Sequence, residues 1–129
     1  MHYFMDETII VQDKDKSILD VLKLALEMEG FNVIPAMHCD DGILDTIDKN
    51  RPHVVVLDYR LEGKDCIDIC NKIKARYPYL PVIAISCNVG IDREYAKKGF
   101  DDYIKKPFDL DLLYKIINKH LPKDSRSLD

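Results

Sequence analysis

Short apolar runs alternate along the chain with longer stretches of helical period, and the alternation repeats five times. Thr8–Gln12 is the first run and reads as a strand. After it Ile18, Leu22, Ala25, Leu26 and Glu29 share one stripe of a helix that Gly30 stops. Asn32–Ala36 reads as a second strand, and Pro35, which has no N–H to give, assigns it to a sheet edge. Asp40 or Asp41 can cap a short helix bearing Ile43, Leu44 and Ile47, which breaks at Asn50-Arg51-Pro52. The third strand, His53–Leu57, carries the β-branched apolar run of a strand buried on both faces and leads straight into Asp58.

In the second half a helix from about Asp65 to Tyr77 packs Cys66, Ile69, Cys70, Ile73 and Tyr77. Pro78 and Pro81 frame the turn into a fourth strand, Val82–Ser86. Between Asn88 and Gly99 only a short helix fits, roughly Asp92 to Lys98, ahead of a last strand Asp102–Lys105 and the dipeptide Lys106-Pro107. Asp109 caps a final helix with Leu112, Leu113, Ile116, Ile117 and Leu121, and Pro122 ends it. Strands alternating with helices predict an α/β fold: a single-domain five-stranded parallel sheet flanked by five helices. The expected core spans about 7–121 of residues 1–129, with 122–129 as a polar tail.

Composition narrows the functional classes. A chain of 129 residues, 47% hydrophobic, suits one continuous core. A formal charge of −4 argues against direct binding of nucleic acid or an anionic membrane. No run approaches the roughly eighteen apolar residues of a membrane span, and the first residues lack a secretory pattern, so a soluble cytoplasmic protein is expected. Cys39, Cys66, Cys70 and Cys87 have no paired C-x-x-C spacing and are expected as buried free thiols in a reducing cytosol. Cys66 and Cys70, although on one helical face, read as core residues rather than metal ligands.

In an open parallel sheet the working site lies beyond the carboxyl ends of the strands. The residues there are Asp13, Asp58, Ser86 and Lys106. Two carboxylates, a hydroxyl and an ammonium suit phosphoryl transfer onto Asp58: a carboxylate attacks phosphorus when cations neutralise the charge on the transferring oxygens. Plainer readings stand beside this one. Asp58 can cap a turn, Asp13 can cap the first helix with Lys14 and Asp15 as solvated charges, and Tyr103 can be ordinary core.

An acidic residue after strand one, Asp58 after strand three, Ser86 after strand four and the run Asp101-Asp102-Tyr103-Ile104-Lys105-Lys106-Pro107-Phe108 together resemble the response-regulator receiver family of two-component signalling, from Ile9 to Leu121. The resemblance implies a doubly wound sheet of order 2-1-3-4-5, which agrees with Pro35 at an edge. It implies that Asp58 accepts a phosphoryl group from a histidine kinase or phosphotransferase, that Lys106 contacts that group, and that a cis peptide joins Lys106 to Pro107. Ser86 and Tyr103 are then the switch pair, and the last strand with its flanking helices meets a downstream protein. Such a domain assists its own phosphorylation and dephosphorylation and is otherwise not an enzyme. Its Mg²⁺ is expected on Asp13, Asp58 and the backbone carbonyl of Arg60.

The family places two consecutive acidic residues after strand one, whereas here the run is Asp13-Lys14-Asp15, with Lys14 at the usual direct-ligand position. Two outcomes follow. Either Mg²⁺ binds in weakened form, with Asp15 as a possible substitute ligand, or Lys14 pairs with Asp58 or Asp13. The second makes the chain a phosphorylation-independent pseudo-receiver, a protein-interaction module. Glu62 and Cys66 stand where the family often has proline and glycine, and Arg60 and Asn88 where it tunes the lifetime of the phosphorylated state. A phosphatase of the haloacid dehalogenase type ranks behind both readings, because Arg60 occupies the place of its second aspartate.

Overall fold

The computed structural model describes residues 7–60 and 65–122. The expectations for the first residues, for Glu62 and for the tail beyond Pro122 lie outside the described residues. The elements are β1 (Thr8–Gln12), α1 (Lys16–Met28), β2 (Asn32–Ala36), α2 (Gly42–Asn50), β3 (Val54–Asp58), α3 (Asp65–Arg76), β4 (Val82–Ser86), α4 (Ile91–Glu94), β5 (Asp102–Lys105) and α5 (Leu110–Lys119). All neighbouring strands run parallel, in the order β2-β1-β3-β4-β5. The doubly wound fold and its strand order are as expected, and Pro35 lies on an edge strand.

β1, β3 and β4 are buried at every residue because both faces are covered, and alternation sends successive side chains to opposite cores. Ile9, Val11, Val54, Val56, Ile83 and Ile85 meet Leu22 and Leu26 of α1 and Leu113 and Ile117 of α5. Ile10, Val55, Leu57, Val82 and Ala84 meet Ile43 and Ile47 of α2 and Ile69 and Ile73 of α3. Among the described residues no helix is long and apolar enough to cross a membrane.

The helix ends refine the sequence reading. Asp15, not Asp13, caps α1: its Oδ1 accepts from the amides of Ser17 at 2.9 Å and Ile18 at 3.4 Å. Leu19 is buried in α1 whereas Glu29 is exposed, so the apolar stripe is rotated from the one the spacing suggests. Asp109 caps α5 as expected, but Leu112 faces outward and Leu113 and Ile117 carry the packing. The expected fourth helix is shorter, one turn instead of a run to Lys98, because Ile91 is its single buried residue and no second apolar turn follows to hold it against the sheet. Turn bonds such as Lys98 N–H to the Glu94 carbonyl, 3.0 Å, continue the chain to Gly99, whose φ of 102° ends it.

The cysteines need a larger correction. Cys39 and Cys66, 27 positions apart, form a disulfide. β2 and β3 flank β1, so the segments leaving them converge over Gln12 at the end of β1, and no local spacing signals that meeting. Cys70 is a buried free thiol as expected, while Cys87 is free but exposed.

Candidate functional site

Parallel strands end at a common edge, so β1, β3, β4 and β5 deliver Asp13, Asp58, Ser86 and Lys106 to one place. Lys106 Nζ donates to Asp13 Oδ2 at 2.9 Å and to Asp58 Oδ1 at 3.0 Å. Asp13 is 0% exposed and Asp58 4%, so the ammonium offsets two carboxylates that burial alone makes costly. Burial also works against the charge on Lys106, but its bonds to Asp13 and Asp58 prevail and hold its pKa above the ordinary 10.5.

The remaining carboxylate oxygens are also engaged. Asp58 Oδ2 accepts from Arg60 Nε at 2.9 Å, and Asp13 Oδ1 accepts from the Asp15 amide at 2.8 Å. The hydrogen bond and charge of Asp58 raise the Arg60 pKa further, although that guanidinium is more than half exposed. Arg60 meets Asp58 through its side chain. The backbone N–H of Asp58 donates to Gln12 Oε1 at 3.0 Å, while Gln12 Nε2 donates to the Met37 carbonyl at 3.1 Å. Sequence reading passed over Gln12. The available signal was an amide closing an otherwise apolar strand, in a place where its polar atoms must find partners.

Ser86 is fully buried, and its Oγ accepts from the Asn88 amide at 3.0 Å. Asn88 Nδ2 donates to Glu94 Oε2 at 2.8 Å, and burial followed by the charge of Glu94 raises the pKa of Tyr59. Asp58, Arg60, Ser86, Asn88 and Lys106 line one open cleft of about 550 Å³. Tyr103 stands outside it, half-buried on β5, with its ring 4.9 Å from that of Tyr95. The Lys106–Pro107 peptide is cis.

Lys14 is exposed, and among the described residues it makes no ion pair with Asp13 or Asp58. The cation between those carboxylates is Lys106, so the Lys14 pairing considered from sequence is not formed. Asp15 caps α1 through Oδ1 and also lines the cleft beside Asp58 and Lys106. Asp13 and Asp58 are one carboxylate short of the three acids the family pattern supplies, and their oxygens accept from Lys106, Arg60 and the Asp15 amide. Among the described residues no group of three His, Cys, Asp or Glu side chains is placed to hold a metal ion.

Residues 9–118 match the family model described as the response regulator receiver domain. The receiver domain of NtrX from Brucella abortus is 32% identical over 88% of this chain and 97% of its own, with a TM-score of 0.78. A response regulator receiver domain protein from Clostridium thermocellum is 26% identical over 95% of this chain and 99% of its own, with a TM-score of 0.79. The BeF₃-activated receiver domain of DrrB is 29% identical over 90% of this chain and 97% of its own, with a TM-score of 0.75. Sheet order, the convergence at its carboxyl edge and a family match over most of the sequence agree: the chain belongs to the response regulator receiver domain family of two-component systems.

Proposed function

We propose that Asp58 accepts a phosphoryl group from a phosphohistidine on a histidine kinase or phosphotransferase, and that the modified domain then changes the face it offers to a downstream protein. The observation that supports this most is Lys106 held between Asp13 and Asp58 at the floor of an open cleft. In the transfer an oxygen of Asp58 bonds to phosphorus as the P–N bond breaks, and the electron pair leaves with the imidazole. Lys106 neutralises charge on the phosphoryl oxygens. Ser86 Oγ accepts from the Asn88 amide, which leaves its own hydrogen to donate to one of those oxygens.

Receivers as a family bind Mg²⁺, but the donor set here is one carboxylate short. Charge neutralisation therefore falls to Lys106 and to Arg60, whose exposed side chain can follow negative charge from carboxylate to phosphoryl group. Ser86 and Tyr103 act as the switch pair, and β5 with α4 and α5 forms the output face. The domain is a cytoplasmic signalling module with no independent substrate, and its partners are proteins.

The test is intact mass after incubation with acetyl phosphate, with and without Mg²⁺. We expect a gain of one phosphoryl group in the wild type, its loss in Asp58→Asn, and a stronger dependence on Mg²⁺ in Lys14→Asp. A wild type that gains nothing while Lys14→Asp is modified overturns this reading in favour of a phosphorylation-independent pseudo-receiver.

A further inference from the structure

We propose that Cys39 and Cys66 are a reversible thiol–disulfide pair, oxidised by a low-molecular-weight disulfide of the glutathione class, and that Gln12 carries their redox state to Asp58. Cys39 lies in the segment after β2 and Cys66 in the first turn of α3, with Cα atoms 5.3 Å apart in the bonded form. Both sulfurs sit against a single atom, Gln12 Oε1, at 3.0 and 3.3 Å, and the same oxygen accepts the Asp58 N–H.

A thiol has an S–H to donate to that oxygen, and a disulfide has none. Oxidation therefore removes two competing donors from the acceptor of the Asp58 amide. It also ties the segment after β2 to the first turn of α3.

The other two cysteines lack these features. Cys70 is buried, and burial followed by the charge of Asp101 pushes its thiol up to about 12, far from the reactive thiolate. Cys87 borders the cleft as an exposed free thiol with no bonded sulfur beside it.

The half-buried Cys39 is the reachable member. Its thiolate attacks glutathione disulfide and expels one glutathione thiolate; the Cys66 thiolate then displaces the second. The protons of the two cysteines end on the two glutathiones, so one disulfide is reduced for each one formed.

The effect on phosphoryl transfer rests on the reading of Asp58 given above, whereas the redox chemistry and its arrival at the Asp58 amide do not. The full chain is equilibrated across ratios of reduced to oxidised glutathione. One portion is acid-quenched, unfolded in denaturant and alkylated for intact mass, so that the buried Cys70 is counted as well; a second gives an amide correlation spectrum, and a third is exposed to acetyl phosphate. The four thiols that react under reducing conditions should fall to two, and Cys87→Ser removes any ambiguity from a glutathione adduct at that site. The Asp58 amide resonance should move with the same midpoint and stay fixed in Cys39→Ser and Cys66→Ser. Labelling rates of Asp58 should differ about three- to ten-fold between the oxidised and reduced protein, a change of the size of one hydrogen bond.

Four reactive thiols at every ratio overturn the proposal, as does an Asp58 amide that ignores them. Equal labelling rates in the two states overturn its extension to phosphoryl transfer. If the amide follows the thiols while neither state is labelled, the redox pair stands and the phosphoacceptor reading falls.

Discussion

Buried aspartates occur at both ends of the sheet, and they differ in how their partners enclose them. At the carboxyl edge one ammonium, Lys106, serves two carboxylates, Asp13 and Asp58. At the start of β5 one carboxylate, Asp102, is served by both Lys119 at 3.2 Å and His120 Nε2 at 2.8 Å, with the Tyr103 amide on its other oxygen. Burial alone raises the pKa of Asp102, but His120, the Tyr103 amide and Lys119 outweigh it and hold the carboxyl below the usual range. Asp102 is saturated and ties the end of α5 to β5. Asp58 shares its buried cation and opens on a cleft. The difference lies in access: Asp102 is enclosed by its partners, whereas Asp58, bonded to Lys106 and to the largely exposed Arg60, lines an open cleft.

The comparison breaks most visibly at Lys106. Lys106→Met leaves two buried carboxylates without their ammonium and should cost about 3–5 kcal/mol, measured as a urea midpoint, with phosphoryl labelling falling about a hundred-fold or more. A loss of stability under about 1 kcal/mol means the pair is better solvated than its burial implies. Asp102→Asn should cost about 1–2 kcal/mol and leave labelling unchanged. Its pH dependence has a definite sign. Because the folded pKa of Asp102 is lowered, its contribution is fully present above the ordinary value of 3.8 and is lost as pH falls through the lowered one. The stability gap between wild type and Asp102→Asn should therefore close on acidification below that range, as followed by urea denaturation at a series of pH values. Arg60→Ala gives the smallest change in stability, about 0–1 kcal/mol, since the guanidinium is largely exposed; labelling should nevertheless slow by about ten-fold.

The strands were legible because five short runs of β-branched and apolar residues leave few alternatives, and Pro35 gave away an edge by its missing donor. Asp13, Asp58 and Lys106 were legible for a topological reason: residues that follow parallel strands must share an edge. What the chain concealed depends on contacts between distant segments. Cys39 and Cys66 meet only after β1 has inserted between β2 and β3, and Gln12 matters only because that meeting happens above it. Lys14 had the right position for a buried ion pair, yet its side chain remains in solvent while Lys106 arrives from β5. Leu112 misled for a smaller reason, since one step of 100° is enough to carry a leucine from the core face of α5 to its border.

The Cys39–Cys66 bond has a further consequence, for the ensemble of unfolded chains. Joining positions 27 apart denies the denatured chain the conformations in which those residues are far apart, an entropic restriction worth roughly 3.5 kcal/mol on a chain-closure estimate. Thermodynamic reciprocity then requires that folding favour oxidation by the amount that oxidation favours folding. The native architecture thus acts as an effective concentration for one thiol at the other, and the redox balance of the surroundings bears on how long the domain stays folded.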